Sequence, residues 1–240
     1  MELAAATWTD VRDAEPTVAL VPVGSTEQHG PHAPLGTDTE TARAVAAAAD
    51  DRLEVASVVT PAVPVGVSAE HRAFDGTLWV DPDAFRAYVR EIVTSLAASG
   101  IDRVVFVNGH GGNVEALAEL ARDCSRTGVA YTTLFTWFDA VDATDMGHAG
   151  PVETALLRHV APETVRESRV ENAAAEAADG WGEWVHGVNL AHDTDEFAPN
   201  GVVGDPRDGD ADRGATLLDE AAEKLVDVVE AMLDREWSPD

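Results

Sequence analysis

The chain has 240 residues, 45% of them hydrophobic, which is enough to bury an extensive core and fits one α/β domain spanning 1–240. Acidic residues number 44 against 16 basic ones, and the formal charge of −28 excludes unassisted binding to nucleic acid or an anionic membrane. An anionic substrate would have to meet local positive charge, most simply a bound metal ion.

The amino-terminal stretch MELAAATWTDVRDAEP has no basic segment followed by an apolar one, and no apolar run long enough to span a bilayer follows. A soluble cytoplasmic protein is expected. Short apolar runs predict strands at Thr17 to Val23, Val55 to Thr60, Arg103 to Val107 and Tyr131 to Thr136. Between and after them, helical patterns run over Thr39 to Asp51, Asp83 to Ser99, Asn113 to Thr127 and Ala149 to Val160. This alternation predicts a three-layer α/β/α sandwich with a mainly parallel central sheet. The single cysteine, Cys124, falls in a helical pattern and is read as packed; with no partner it points to a reducing compartment. A last helix over about Asp210 to Glu236 carries Leu217, Leu218, Ala221, Leu225, Val228, Val229 and Met232 as a packing stripe. The Gly- and Asp-rich stretch from Gly201 to Gly214 is too weak a boundary to divide the chain. Within the last helix lies Lys224, the only lysine, so the remaining basic residues are arginines. Acids spread along the whole chain with almost no lysine suggest adaptation to a salt-rich cytoplasm, where carboxylates keep a screened surface hydrated.

Chemistry collects where strands end. After the first strand comes GSTEQHGPHAPLGTD, and residues two apart on extended backbone project to one side, so Glu27 and His29 can converge while Gln28 faces away. Asp38, at the start of the next helix, is either its cap or a third ligand; beside Glu27 and His29 the ligand reading is preferred. The third strand ends in NGHGGN, which sets His110 in a glycine-rich turn at the same sheet edge. A phosphate cradle is the alternative there, but the P-loop lysine and its Ser or Thr are absent. Beyond the fourth strand, GHAGPVETALL offers His148 and Glu153 at a helix start, where an acid alone would merely answer the helix dipole. Three carboxylates with two imidazoles suit Zn²⁺, Mn²⁺ or Fe²⁺ better than Ca²⁺ or Mg²⁺.

VPVGSTEQHGPHAPLGTD, SAEHRAFDGT, NGHGGN and HAGPVETA, in this order and spacing, resemble the creatininase family of metal amidohydrolases, and the likeness resumes at GVVGDPRDGDADRG. The resemblance implies an α/β/α fold, two divalent metal ions per subunit and homo-oligomers, often hexamers. It places Glu27 and His110 on one metal, His29 and Glu153 on the other, and Asp38 between them, with His148 as the catalytic histidine and Trp137 as the active-site tryptophan.

Three departures bear on substrate. Creatinine-hydrolysing members carry a metal-binding glutamate two places after the NGH histidine, where this chain has Gly112, which counts against creatinine. Pro151 and Ala155 replace a glutamate and a serine of the related HAGEIETS pattern, while Glu153 is kept. The branch with NGHGGN includes archaeal deformylases of a formamidopyrimidine nucleotide on the route to flavin and deazaflavin cofactors, and a peptidase that trims a modified peptide. With the composition of a halophilic archaeon, the deformylase is the leading specific expectation, its substrate phosphate held by Arg72 or Arg207; creatinine hydrolysis and peptide trimming are alternatives. In such a site the metals activate water and polarise an amide or formamide oxygen, and His148 stabilises the oxyanion or protonates the leaving nitrogen. Rivals from other classes are a metal-binding scaffold without turnover and a nucleotide-binding regulator using NGHGGN. His32 reads as loop packing or support for a ligand, His71 as pocket border or subunit contact, and His159 as structural. Trp181, Trp184, His186 and His192 lack metal spacing and suggest an interface, a flap or plain surface.

Overall fold

The computed structural model describes residues 1–238. In chain order its elements are α1 (Trp8–Ala14), β1 (Val18–Val23), α2 (Thr37–Asp50), β2 (Ser57–Val59), α3 (Pro82–Ala98), β3 (Arg103–Asn108), α4 (Val114–Arg126), β4 (Tyr131–Thr136), α5 (Trp137–Ala140), α6 (Pro151–Val160), α7 (Val170–Ala175), β5 (Trp184–Val185), β6 (Val188–Asn189) and α8 (Ala211–Leu233). Every strand and helix expected from the apolar pattern is present, most with slightly different ends. The additions are short. α1 is held by a capping box in which Thr7 and Asp10 exchange side-chain and backbone hydrogen bonds, a polar signal the apolar period does not carry.

Strands β1 to β4 form one parallel sheet in the order β2-β1-β3-β4. β1, VALVPV, is buried at all six positions, as a central parallel strand covered on both faces must be. Pro22 is tolerated within it because β2 pairs only as far as Leu20. The Pro22 carbonyl accepts from Val63 on that side, so the missing N–H faces a stretch where no ladder bond is required.

Alternate residues feed two cores. Val18, Leu20, Val105 and Val107 pack with residues of α2, α6 and α8, and Ala19, Val21, Val104 and Phe106 pack with Phe85, Val89 and Val93 of α3 and Leu117 and Leu120 of α4. Each such buried Val, Leu or Phe contributes roughly 1.5–3 kcal/mol. Cys124 is buried in the second core, as a packed thiol should be. Along α8 the buried residues Leu217, Ala221, Leu225, Val229 and Met232 form the expected stripe. Among the described residues no helix is long and apolar enough to cross a membrane.

The strand order positions the site. From β1 the chain moves outward to β2, then returns past β1 to β3, so the connections leaving β1 and β3 part in opposite directions. A crevice opens at such a switch point, at the strands' carboxyl ends. Val23 pairs with Asn108 there, which brings the TEQHG loop beside the NGHGGN turn.

Candidate metal centre

Five side chains from four separate segments meet in this crevice, and all are buried: Glu27, His29, Asp38, His110 and Glu153. Asp38 lies in the first turn of α2 but does not cap it, because the cap position is Gly36 and no side chain bonds there. Its two oxygens instead face different imidazoles, Oδ1 2.9 Å from His29 Nε2 and Oδ2 3.3 Å from His110 Nδ1. Glu27 Oε2 is 3.2 Å from His110 Nδ1. Glu153, in the first turn of α6, divides its carboxylate: Oε2 accepts from the Ala149 amide at 2.6 Å, and Oε1 lies 3.7 Å from His29 Nε2. One oxygen thus answers the helix terminus while the other faces the cluster.

Hydrogen bonds outside the cluster set the orientation of each imidazole. His29 Nδ1 donates to the Glu27 carbonyl at 3.2 Å, and His110 Nε2 donates to the Val67 carbonyl at 2.7 Å. The inner nitrogens, His29 Nε2 and His110 Nδ1, are thereby left with lone pairs aimed at carboxylates, an arrangement that requires a proton or a cation between them. Glu27 Oε1 and Oε2, His29 Nε2 and Asp38 Oδ2 have no hydrogen-bond partner although they are buried. Leaving such groups unsatisfied is costly, so the donor set fits divalent metal ions. Charge tells the same story. Burial alone would raise the Glu27 carboxyl, but His110 and His71 hold it well below the usual carboxylate range. Burial alone would lower His29 and His110, yet Asp38 and Glu153 hold the first, and Glu27 and Asp38 the second, well above the usual imidazole range. The site attracts positive charge, which a metal ion could supply in exchange for protons. Ligand atoms of Glu27, Asp38 and His110 fall within 4.8 Å of one another, as do those of His29, His148 and Glu153.

A second tier of residues stands behind the cluster. His148 Nε2 lies 2.8 Å from the Gln28 carbonyl, and its ring is 4.3 Å from that of His29. His71 stacks on His148 at 4.5 Å and reaches Glu27 Oε1 at 3.3 Å, so the SAEHRAF segment enters the site and His71 is no remote surface residue. Trp181 meets both rings edge-on, 5.9 Å from each. Burial, then its neighbours His29 and His71, pushes His148 well below the ordinary imidazole value, so it rests neutral. These residues open on a cavity of about 470 Å³ that is also lined by Glu70, Glu115, Phe138, Met146 and the glycines at 111, 112 and 147.

Other expected positions fall differently. Trp137 is wholly buried, packs edge-on against Phe138 and does not line the cavity; the tryptophan that does is Trp181, carried in from the segment before β5. His32 is buried and bonded through Nε2 to Thr154 Oγ1 at 3.0 Å, which ties the first loop to the start of α6. His159, His186 and His192 are exposed, as is Trp184. Arg72 pairs with Asp193, Arg207 pairs with Asp205 and Glu171, and neither lines the cavity. At Gly112 a side chain has no room, since a Cβ would lie 2.2 Å from the Val67 carbonyl oxygen and 2.8 Å from Glu70 Oε1. The carboxylates facing His29 come from Asp38 of α2 and Glu153 of α6. Gln28 and Glu70 carry no sequence signal beyond their place beside the motif residues.

A family model described as creatininase, creatinine amidohydrolase, matches residues 4–229. The mycofactocin precursor peptide peptidase of Mycobacterium ulcerans (strain Agy99) is 35% identical over 246 residues, covering 99% of this chain and 92% of that protein. Creatinine amidohydrolase of Pseudomonas putida is 26% identical over 178 residues, covering 64% of this chain and 68% of its own. Among solved structures, a manganese form of creatininase aligns with a TM-score of 0.80 at 21% identity, covering 98% of this chain and 99% of that one, which is a likeness of fold.

Proposed function

The chain belongs to the creatininase family of hydrolases that act on carbon–nitrogen amide bonds, and we propose that the bond it cuts is a peptide amide, in the manner of a peptidase acting on a precursor peptide. One observation of the cavity carries the choice. Its lining includes five carboxylates, Glu27, Asp38, Glu70, Glu115 and Glu153, and no arginine or lysine. Two divalent cations would offset four of those five charges. A nucleotide phosphate would then enter a pocket with no positive charge to spare, while Arg72 and Arg207 are engaged elsewhere. A peptide carries no such penalty, and Phe138, Met146 and Trp181 offer it apolar walls. The extensive match to the mycobacterial peptidase supports the same choice over the deformylase expected from NGHGGN. The lack of space at Gly112 speaks against the metal arrangement associated with creatinine.

Zn²⁺, Mn²⁺ or Fe²⁺ is expected in two places, one among Glu27, Asp38 and His110 and one among His29, Asp38 and Glu153, with Asp38 offering one oxygen to each. When bound, such ions acidify water and polarise an amide carbonyl. The chain's own part is proton transfer and positioning. A neutral His148 takes a proton from the attacking water as the O–C bond forms, then gives it to the leaving nitrogen as the C–N bond breaks, and returns to its starting state. Trp181, edge-on to His71 and His148, limits the water that reaches them. Assembly into a homo-oligomer belongs to the same reading and is measured by light scattering.

The test is a substrate panel with metal-loaded protein: a mycofactocin-type precursor peptide, a formamidopyrimidine ribonucleotide and creatinine. Mass spectrometry should find a cleaved peptide only with metal present. Formate release or creatinine turnover faster than peptide cleavage would overturn the proposal.

A further inference from the structure

Gln28 stands between two metal-ligand candidates, yet its side chain leaves them and runs to the far side of His71 and His148. It is almost wholly buried. Its orientation is fixed by two backbone groups: Oε1 accepts from the Gly30 amide at 2.9 Å, and Nε2 donates to the Gly201 carbonyl at 3.0 Å. A flipped amide would set oxygen against oxygen at Gly201 and nitrogen against N–H at Gly30, so these partners assign the atoms.

The rest follows by counting hydrogens. His148 Nε2 lies 2.8 Å from the Gln28 carbonyl, which can only accept, so that nitrogen carries the proton. It cannot then also accept from Gln28 Nε2, 3.0 Å away. The second amide hydrogen is left for His71 Nδ1, at 2.9 Å, which accepts it, and the Thr194 hydroxyl, 3.1 Å from the same nitrogen, can rotate to donate as well. His71 is thereby protonated on Nε2, the nitrogen 3.3 Å from Glu27 Oε1, and turns its N–H toward that carboxylate. His148 keeps its lone pair on Nδ1, the nitrogen 4.0 Å from Glu27 Oε1.

We propose that Gln28 is a positioning residue whose backbone carbonyl and carboxamide together set the tautomers of His148 and His71, so that His148 presents a proton-accepting Nδ1 and His71 turns an N–H toward the Glu27 carboxylate. Gly201 is part of the device. A Cβ there would lie 1.8 Å from Gln28 Oε1, so a residue with a side chain would expel the carboxamide. The GVVG segment that supplies Gly201 also holds His148 from behind, through paired backbone hydrogen bonds of 3.0 and 2.9 Å between His148 and Val203. The use made of Nδ1 rests on the amide-cleaving reading above; the tautomers do not.

The experiment uses zinc-loaded protein labelled with ¹⁵N-histidine, with the two rings assigned from His71→Gln and His148→Gln. Wild type should show the Nε2–H tautomer at both. Gln28→Glu keeps the size but replaces the donor with an acceptor, so His71 should switch to Nδ1–H while zinc content stays at the wild-type level. Turnover on any substrate found should fall by about tenfold to a hundredfold, the usual effect of a partner one step removed from the metal, with KM little changed. Gln28→Leu should leave His71 a mixture of tautomers, and Gly201→Ala should reproduce it. An Nδ1–H form of His148 in wild type, or a His71 tautomer indifferent to Gln28→Glu, would overturn the proposal even if activity fell. Correct tautomers in a protein that cleaves no amide would instead count against the proposed function alone.

Discussion

His32 tests whether the first loop and α6 are coupled through a buried neutral imidazole. Burial, followed by the nearby charges of His29 and Arg158, pushes its pKa from 6.5 down to about 4, and its Nδ1 has no partner that could reward protonation. In the unfolded chain the same group titrates near its ordinary value. The sign follows directly. Above about pH 6.5 neither state binds the proton and stability is intact; as pH falls below that, only the unfolded state binds it, and stability drains until the folded form protonates near 4. A fall from 6.5 to about 4 corresponds to roughly 3 kcal/mol, most of it expressed by pH 4, where the folded form is half protonated. His32→Gln keeps a donor for Thr154 and removes the titration. Urea unfolding of both proteins, metal-saturated and at one molar-range KCl concentration, should therefore show wild type losing about 3 kcal/mol relative to the variant between pH 8 and pH 4. Metal release at low pH is common to both and cancels, and a cation on His29 pushes His32 in the same direction as a protonated His29 does. A difference between the two proteins that stays constant over this range would refute the assignment of His32 as a buried neutral group.

Asp38→Ala should empty at least one metal position and weaken the other, because its two oxygens face His29 and His110 separately; Glu27→Ala and His110→Ala should chiefly empty one, and elemental analysis showing full occupancy in all three would sink the site. His148→Ala should keep both metals yet lose roughly two to four orders of magnitude in turnover, the size of a general acid–base contribution, and near-normal turnover would remove its role in proton transfer. With a net charge of −28, the melting temperature should climb from low to molar KCl as screening and hydrated cations relieve self-repulsion, and a flat or falling curve would contradict that reading of the surface.

What the sequence makes legible is local or periodic. VALVPV announces a strand buried on both faces because parallel pairing and two covering layers need an unbroken apolar run. Glu27 and His29 are found by their two-residue spacing, His110 by its place at the end of β3, and Asp38 by its distance from them along one loop. Short elements without a period are not found: α1 rests on a polar cap, and β5 and β6 are two residues each.

The second tier of the site is hidden for a different reason. Strand alternation correctly turns Gln28 away from Glu27 and His29, but what it turns toward is His148, 120 positions later, and Gly201, 173 positions later. No local pattern records that meeting. The same holds for the tryptophan: the family resemblance implies Trp137 as the active-site ring, yet it points into the core, and the ring that meets His71 and His148 arrives from a distant segment whose own spacing carries no sign of it. Candidate metal ligands must converge on a point from strand ends that neighbour one another in the sheet, so topology and spacing single them out. Residues that orient those ligands need only touch them from behind, and any part of the chain can do so.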